Sequence, residues 1–170
     1  MSRGFCAVND SGLTDPAQPD GLTIRPIVRS DYAQWLPLWD GYNAFYERSG
    51  PTALPMVVTE VTWTRFFDAD EPVNALVAED DTGLVGIVHY LFHRSTTAVE
   101  FSCYLQDLFT QDGLRGRGIG RALIGAVYAR ARLAGSPGVY WHTHETNHTA
   151  MKLYDGVADR PGFVMYRKRL

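Results

Sequence analysis

Apolar and polar positions change period several times along this chain, and each change marks an element. Residues 1–21 mix Asn, Asp, Ser, Gly and Pro without periodicity and are expected to form a flexible leader. Leu22, Thr23, Ile24 and Arg25 then alternate as a short strand that Pro26 ends. Ser30 is placed to cap a helix in which Trp35, Trp39, Tyr42 and Tyr46 form one aromatic stripe, with Pro37 expected to kink it. After the breaker Ser49-Gly50-Pro51, residues 59–67 read as a second, shorter helix. The β-rich runs 74–79 and 84–92 are joined by Asp80-Asp81-Thr82-Gly83, a hairpin turn, and residues 99–110 add a further strand. Past Thr110 the period becomes 3.6, with Ile119, Leu123, Ala126, Val127 and Leu133 on one helical face. Gly135-Ser136-Pro137-Gly138 stops that helix, and a strand at 139–143, a short helix at 149–155 and a closing strand at 163–168 follow. This order predicts one mixed α/β domain over 22–170.

Composition narrows the partners. A net charge of -3 argues against a nucleic-acid ligand, because such a domain ordinarily presents a basic face that displaces counterions. No apolar run approaches the length of a membrane span, so no membrane partner is expected. The two cysteines, Cys6 and Cys103, are too few for a disulfide framework, which fits a reducing, cytoplasmic setting.

The chemistry concentrates between Gln111 and Arg121, where glycines alternate with arginines at a strand-to-helix junction. Backbone N–H groups and the helix dipole converge there on an anion, and Arg115, Arg117 and Arg121 suit a pyrophosphate. Two nucleotide motifs fail on spacing. The dinucleotide fingerprint needs a third glycine where Arg121 or Leu123 stands, and the triphosphate loop needs Gly-Lys where Gly118-Ile119 or Gly125-Ala126 stands.

The run Arg115-Gly116-Arg117-Gly118-Ile119-Gly120 instead resembles the pyrophosphate loop of the GNAT acetyltransferases. Its flanks, 104–109 and 147–154, are similar to those of the polyamine and histone acetyltransferase branch. The resemblance implies a central mixed sheet of six to seven strands with about four helices, splayed between the fourth and fifth strands. It also implies acetyl-CoA as co-substrate, no metal, and transfer of acetyl to a primary amine by direct attack. The amine would belong to a polyamine, another small amine or a protein lysine, and a homodimer is plausible.

Site roles follow from the same resemblance. Tyr154 matches the acid that protonates the leaving thiolate. Main-chain groups of Leu108, Phe109 and Thr110 would pair with the pantetheine arm. Arg115, Gly116, Arg117, Gly118, Ile119, Gly120 and Arg121 would hold the diphosphate, and Asn147 would touch the coenzyme. Gln106 stands where the polyamine enzymes carry a glutamate base, and an amide cannot take a proton. Asp107, Glu100, Glu47 or a water chain could substitute. Tyr42, Tyr46 and Glu47, with Gln106, are candidates to receive a cationic amine. The loss of that glutamate also leaves open a non-catalytic acyl-CoA-binding module. A remoter alternative is His144-Glu145-Thr146-Asn147-His148, which spells the zinc-protease motif. It requires one continuous helix, whereas the neighbouring residues read as a strand end and a helix start.

Overall fold

An eight-residue strand and an eleven-residue strand form the centre of the molecule, joined by the turn that the Asp80–Gly83 sequence encodes. The computed structural model describes residues 19–168 and 170. Its elements are β1 (Thr23–Pro26), α1 (Tyr32–Phe45), α2 (Met56–Arg65), β2 (Val73–Asp80), β3 (Gly83–His93), β4 (Ser102–Thr110), α3 (Ile119–Leu133), β5 (Val139–Tyr140) and α4 (His148–Tyr154). The sheet order is β1-β2-β3-β4-β5, antiparallel except for the parallel pair β4 and β5. Pro26 is tolerated because β1 is an edge strand.

Both sheet faces are covered, so the middles of the central strands are buried continuously rather than at alternate positions. On one face α3 buries Ile119, Leu123, Val127 and Ala131 against Val85, Val88 and Leu105. On the other, α1 and α2 set Trp35, Leu38, Trp39 and Tyr42 against Val77, Ile87 and Phe109. Gly41 makes that second contact possible. A Cβ there would sit 2.7 Å from the Phe109 ring, so the glycine lets helix and strand approach.

Several sequence expectations are corrected. The sheet has five strands among the described residues instead of six to seven. Residues 163–168 form no strand, and Phe163, Val164, Met165 and Tyr166 are exposed; β5 pairs over only two positions and offers no ladder to extend. The strand expected at 139–143 is confined to those two residues, and β4 starts at Ser102 rather than Val99. The α1 cap is Asp31, not Ser30, after a short 3-10 turn at Arg29–Asp31. The α2 helix begins three residues early, at Met56. Leu133 is exposed because it lies two residues beyond Ala131, on the far side of the helix. The leader at 1–18 lies outside the described residues, and residues 19–21 make a turn closed by the Leu22 N–H on the Pro19 carbonyl (3.0 Å).

Candidate active site

Two strands that part create the site. β5 pairs with β4 only at Cys103↔Val139 and Tyr104↔Tyr140, after which the chains diverge. The outer edge of β4 from Leu105 to Thr110 is thereby left facing a cleft of about 980 Å³, closed on its far side by Trp141, Asn147 and α4. Leu108, Phe109 and Thr110, expected to meet a pantetheine arm, all line this cleft. An unpaired strand edge offers N–H and C=O groups to an amide-bearing chain.

At one end the cleft meets the glycine-rich turn. Gly113, Gly116 and Gly118 have φ of 84°, 80° and 85°, left-handed values that glycine adopts without a Cβ penalty. Gly118 caps α3, whose first intrahelical bond is Ala122 N–H to the Gly118 carbonyl, so the N–H groups of Ile119, Gly120 and Arg121 have no acceptor in the helix. Charge and dipole therefore favour an anion at this point. Arg115 and Arg121 line the cleft; Arg115 is held by Asp112 (2.8 Å), and the Arg121 guanidinium approaches Gly156. Arg117 is not among the lining residues, and its charge instead lies near Asp80 of the β2-β3 turn. The turn thus fits a diphosphate through amides and two arginines.

Tyr154 and Tyr46 also line the cleft. Tyr154, the last residue of α4, packs edge-on against Trp141 with ring centroids 5.4 Å apart. Burial, with Tyr46 nearby, pushes its phenol up to about 12. Tyr46 and the exposed Glu47, which follow α1, line the same cleft, and Asn147 caps α4 by accepting the Ala150 N–H (3.4 Å).

A β-bulge governs what lies between. The β3-β4 register runs His89↔Asp107 and then Tyr90↔Leu105, leaving Gln106 as an extra, exposed residue. The insertion reverses the faces. Cys103 and Leu105 point to α3, whereas Asp107 and Phe109 point to α1 and α2. Asp107 consequently meets His89, with Nδ1 to Oδ2 at 3.0 Å, and the Trp35 Nε1–H donates to His89 Nε2 at 3.1 Å. An indole N–H is only a donor, so His89 Nε2 must accept and Nδ1 must carry the proton. His89 thus donates to Asp107, fixing the carboxylate as an acceptor. Burial and the Asp107 charge raise the Tyr42 phenol well above its ordinary value, keeping it protonated.

Asp107 lines a second cavity, of about 390 Å³, between α1, α2 and the bulge. Tyr42 and Gln106 border both spaces. His89, Trp35 and Arg48 escaped the sequence reading as site residues. A lone histidine inside the apolar run 84–92 is the one signal that could have found the first. The zinc-motif pentapeptide is not a continuous helix: residues 145 and 146 form a turn, His144 Nδ1 bonds Thr146 Oγ1 (2.7 Å), and His148 opens α4.

The family model for the acetyltransferase (GNAT) family matches residues 35–156. The chain belongs to this family. Among GNAT relatives, the D-amino-acid N-acetyltransferase HPA3 of Saccharomyces cerevisiae is 36% identical over 151 residues, covering 88% of this chain and 91% of its own length. The uncharacterized N-acetyltransferase YhfO of Bacillus subtilis is 27% identical over 147 residues, covering 85% of this chain and 95% of its own. The GNAT fold recurs in an aminoglycoside acetyltransferase from a soil metagenome, with TM-score 0.75, 18% identity and coverage of 89% of this chain and 97% of that one. It recurs too in AAC(6')-Iy in complex with the bisubstrate analogue CoA-S-monomethyl-acetylneamine, with TM-score 0.73, 18% identity and coverage of 88% of this chain and 99% of that one. Family and relatives together make the chain an acetyl-CoA-dependent N-acyltransferase.

Proposed function

We propose that this GNAT enzyme acetylates the primary amine of a small acceptor, with acetyl-CoA along the β4 edge and the acceptor in the cavity beside Asp107. The observation that carries this reading is that Tyr42 and Gln106 line both cleft and cavity, with Asp107 in the cavity and Tyr154 in the cleft; on this reading the junction of the two spaces lies at these residues. The D-amino-acid N-acetyltransferase named above supports a small amine.

When bound, acetyl-CoA supplies a thioester carbonyl; the chain's own residues position it and manage protons. Amides of Ile119, Gly120 and Arg121, with the Arg115 and Arg121 guanidiniums, hold the diphosphate. Leu108, Phe109 and Thr110 hold the pantetheine arm through their main chain, and Asn147 closes over it. At the junction the amine nitrogen bonds the carbonyl carbon as the carbon–sulfur bond breaks. An alkylammonium with a pKa of about 10.4 needs about 4–5 kcal/mol to deprotonate at neutral pH, so an acceptor for that proton is required. Asp107 provides it, oriented by the His89 Nδ1–H, while Tyr154 holds its hydroxyl proton where the sulfur departs. Gln106, being an amide, orients and does not titrate. The same reading includes a homodimer, for which the exposed run Phe163, Val164, Met165 and Tyr166 supplies apolar surface; light scattering would separate a dimer from the 19.0 kDa monomer.

The test is an amine panel with acetyl-CoA, followed by CoA release and by mass spectrometry of the acceptor. Acetylated small amines, with activity lost in Asp107→Asn, are the expected result. CoA binding without release for any amine would remove the reading.

A further inference from the structure

The acceptor cavity carries a cation that the acetyl-transfer chemistry does not use. Arg48 lines it together with Asp107, and its placement is built rather than incidental. The backbone turns back after α1 through Glu47, whose φ of 59° is left-handed, and the Arg48 N–H bonds the Asn43 carbonyl at 2.9 Å. The Asn43 side chain is buried and anchored by its Nδ2–H on the Trp39 carbonyl (2.8 Å), and its Oδ1 accepts from Arg48 Nε at 2.8 Å. The guanidinium carbon lies 5.4 Å from the Tyr42 ring centroid and 5.3 Å from that of Tyr46. One nitrogen is thus committed to Asn43 and the plane is steadied by two rings.

Among the described residues Arg48 has no carboxylate within ion-pairing distance, whereas Arg65, the other guanidinium of the cavity, is tied to Glu71 at 3.3 Å. Opposite charges therefore stand apart around one pair of hydroxyls. Burial is the main cause that raises the phenols of Tyr42 and Tyr46, and both also feel the two charges, Asp107 raising and Arg48 lowering them.

A pocket for a polycation would present several carboxylates and no arginine. This one presents one carboxylate, one arginine without an acidic partner, and apolar walls from Trp39, Leu54, Val58 and Phe66. We propose that Arg48 reads the carboxylate of an amino-acid acceptor, so that the cavity binds a zwitterion with an apolar side chain, its ammonium toward Asp107 and its carboxylate on the guanidinium fork. Planar, paired N–H donors match a carboxylate, which a plain amine lacks. This rests on the acetyltransferase reading above.

The experiment compares phenylalanine, in both enantiomers, with 2-phenylethylamine, which differs by the missing carboxylate. Turnover is measured for the natural chain, Arg48→Gln and Arg48→Lys, and calorimetry measures binding of each compound in the presence of CoA. The natural chain should favour one phenylalanine enantiomer in kcat/KM by about 10- to 100-fold, the usual worth of a hydrogen bond to a charged group. The difference should fall mainly on KM and be matched in the calorimeter. Arg48→Gln, with a melting curve confirming that it folds, should bring the ratio near one, and Arg48→Lys should restore part of it. Equal use of 2-phenylethylamine by the natural chain, or a preference that survives in Arg48→Gln, would overturn the assignment of Arg48 and leave acetyl transfer standing. Silence toward every amine of the wider panel would overturn both.

Discussion

Tyr154 keeps its proton because its surroundings oppose a phenolate: the ring is packed against Trp141 and Tyr46 lies nearby, and together these raise the phenol to about 12. A group with a raised pKa stays in its acid form until the pH approaches that value, so Tyr154 would serve the proposed donor role across the range in which an amine becomes free. The pH profile of kcat/KM should therefore rise as the acceptor deprotonates and show no falling limb below about pH 10 from this residue. Tyr154→Phe keeps the ring and removes the donor. It should lower kcat by about 100-fold or more, the usual range for a positioned acid, with CoA affinity nearly kept. Steady-state kinetics beside CoA calorimetry check both halves, and unchanged kcat would take Tyr154 out of the mechanism. The carboxylate partner shows what the sequence can and cannot say. Residue types in 102–110 supply Asp107 as a candidate, but its direction depends on the bulge at Gln106. That bulge arises from the pairing of two strands, which no alternation along one of them encodes.

Elements, by contrast, announce themselves where local signals agree. The hairpin of β2 and β3 was legible because the Asp80–Gly83 turn and both apolar runs point the same way, and α3 because glycines precede a 3.6-residue period. The first helix was legible in its stripe and misread at its start, since Asp31 serves a tertiary partner. Its buried carboxylate accepts from Arg25 at 2.7 and 3.0 Å and from the Val28 N–H at 2.8 Å, and Arg25 also bonds Glu79 at 2.7 Å. This ties β1 and β2 to the start of α1. The Arg25 hydrogen bond is the main cause holding the Asp31 carboxyl below its ordinary range. A carboxyl with a depressed folded pKa stabilises the fold above its unfolded pKa of about 3.9, and that contribution is lost as the pH falls through the depressed value. Asp31→Asn should cost about 2 kcal/mol at neutral pH, toward the lower end for a buried charged pair because Arg25 is partly solvated. Urea titrations at pH 7 and pH 3 test this: the gap between the two proteins should narrow at the lower pH, and a constant gap would contradict the linkage.

At the scale of the whole molecule the two sides of the cleft are unequally anchored. β3 and β4 sit in the sheet between two apolar layers, whereas β5 pairs over two positions and α4 contributes no buried residue. Local opening is easiest where few apolar contacts resist it, so the segment 141–156 should exchange its amide hydrogens sooner than β3 and β4 in the free protein. Trp141, Asn147 and Tyr154 line the weak side of the cleft, so a ligand that spanned it, with its diphosphate on the α3 start and its arm along β4, would also touch them. Its binding energy therefore becomes stability for that side. At a concentration of about 100 times Kd, a ligand selective for the folded state adds about 2.7 kcal/mol. For a domain of this size each kcal/mol moves the melting temperature by about 2–4 °C, which predicts an upward shift of about 5–10 °C with CoA. Hydrogen exchange should slow at 141–156 and at 113–121 under the same conditions, while β2 and β3 stay as protected as before. A melting shift without protection at 141–156 would mean that coenzyme A binds only at the glycine turn. The strand-to-helix side of the cleft would then carry the affinity, and α4 with Tyr154 would have to be brought to the thioester by the acceptor.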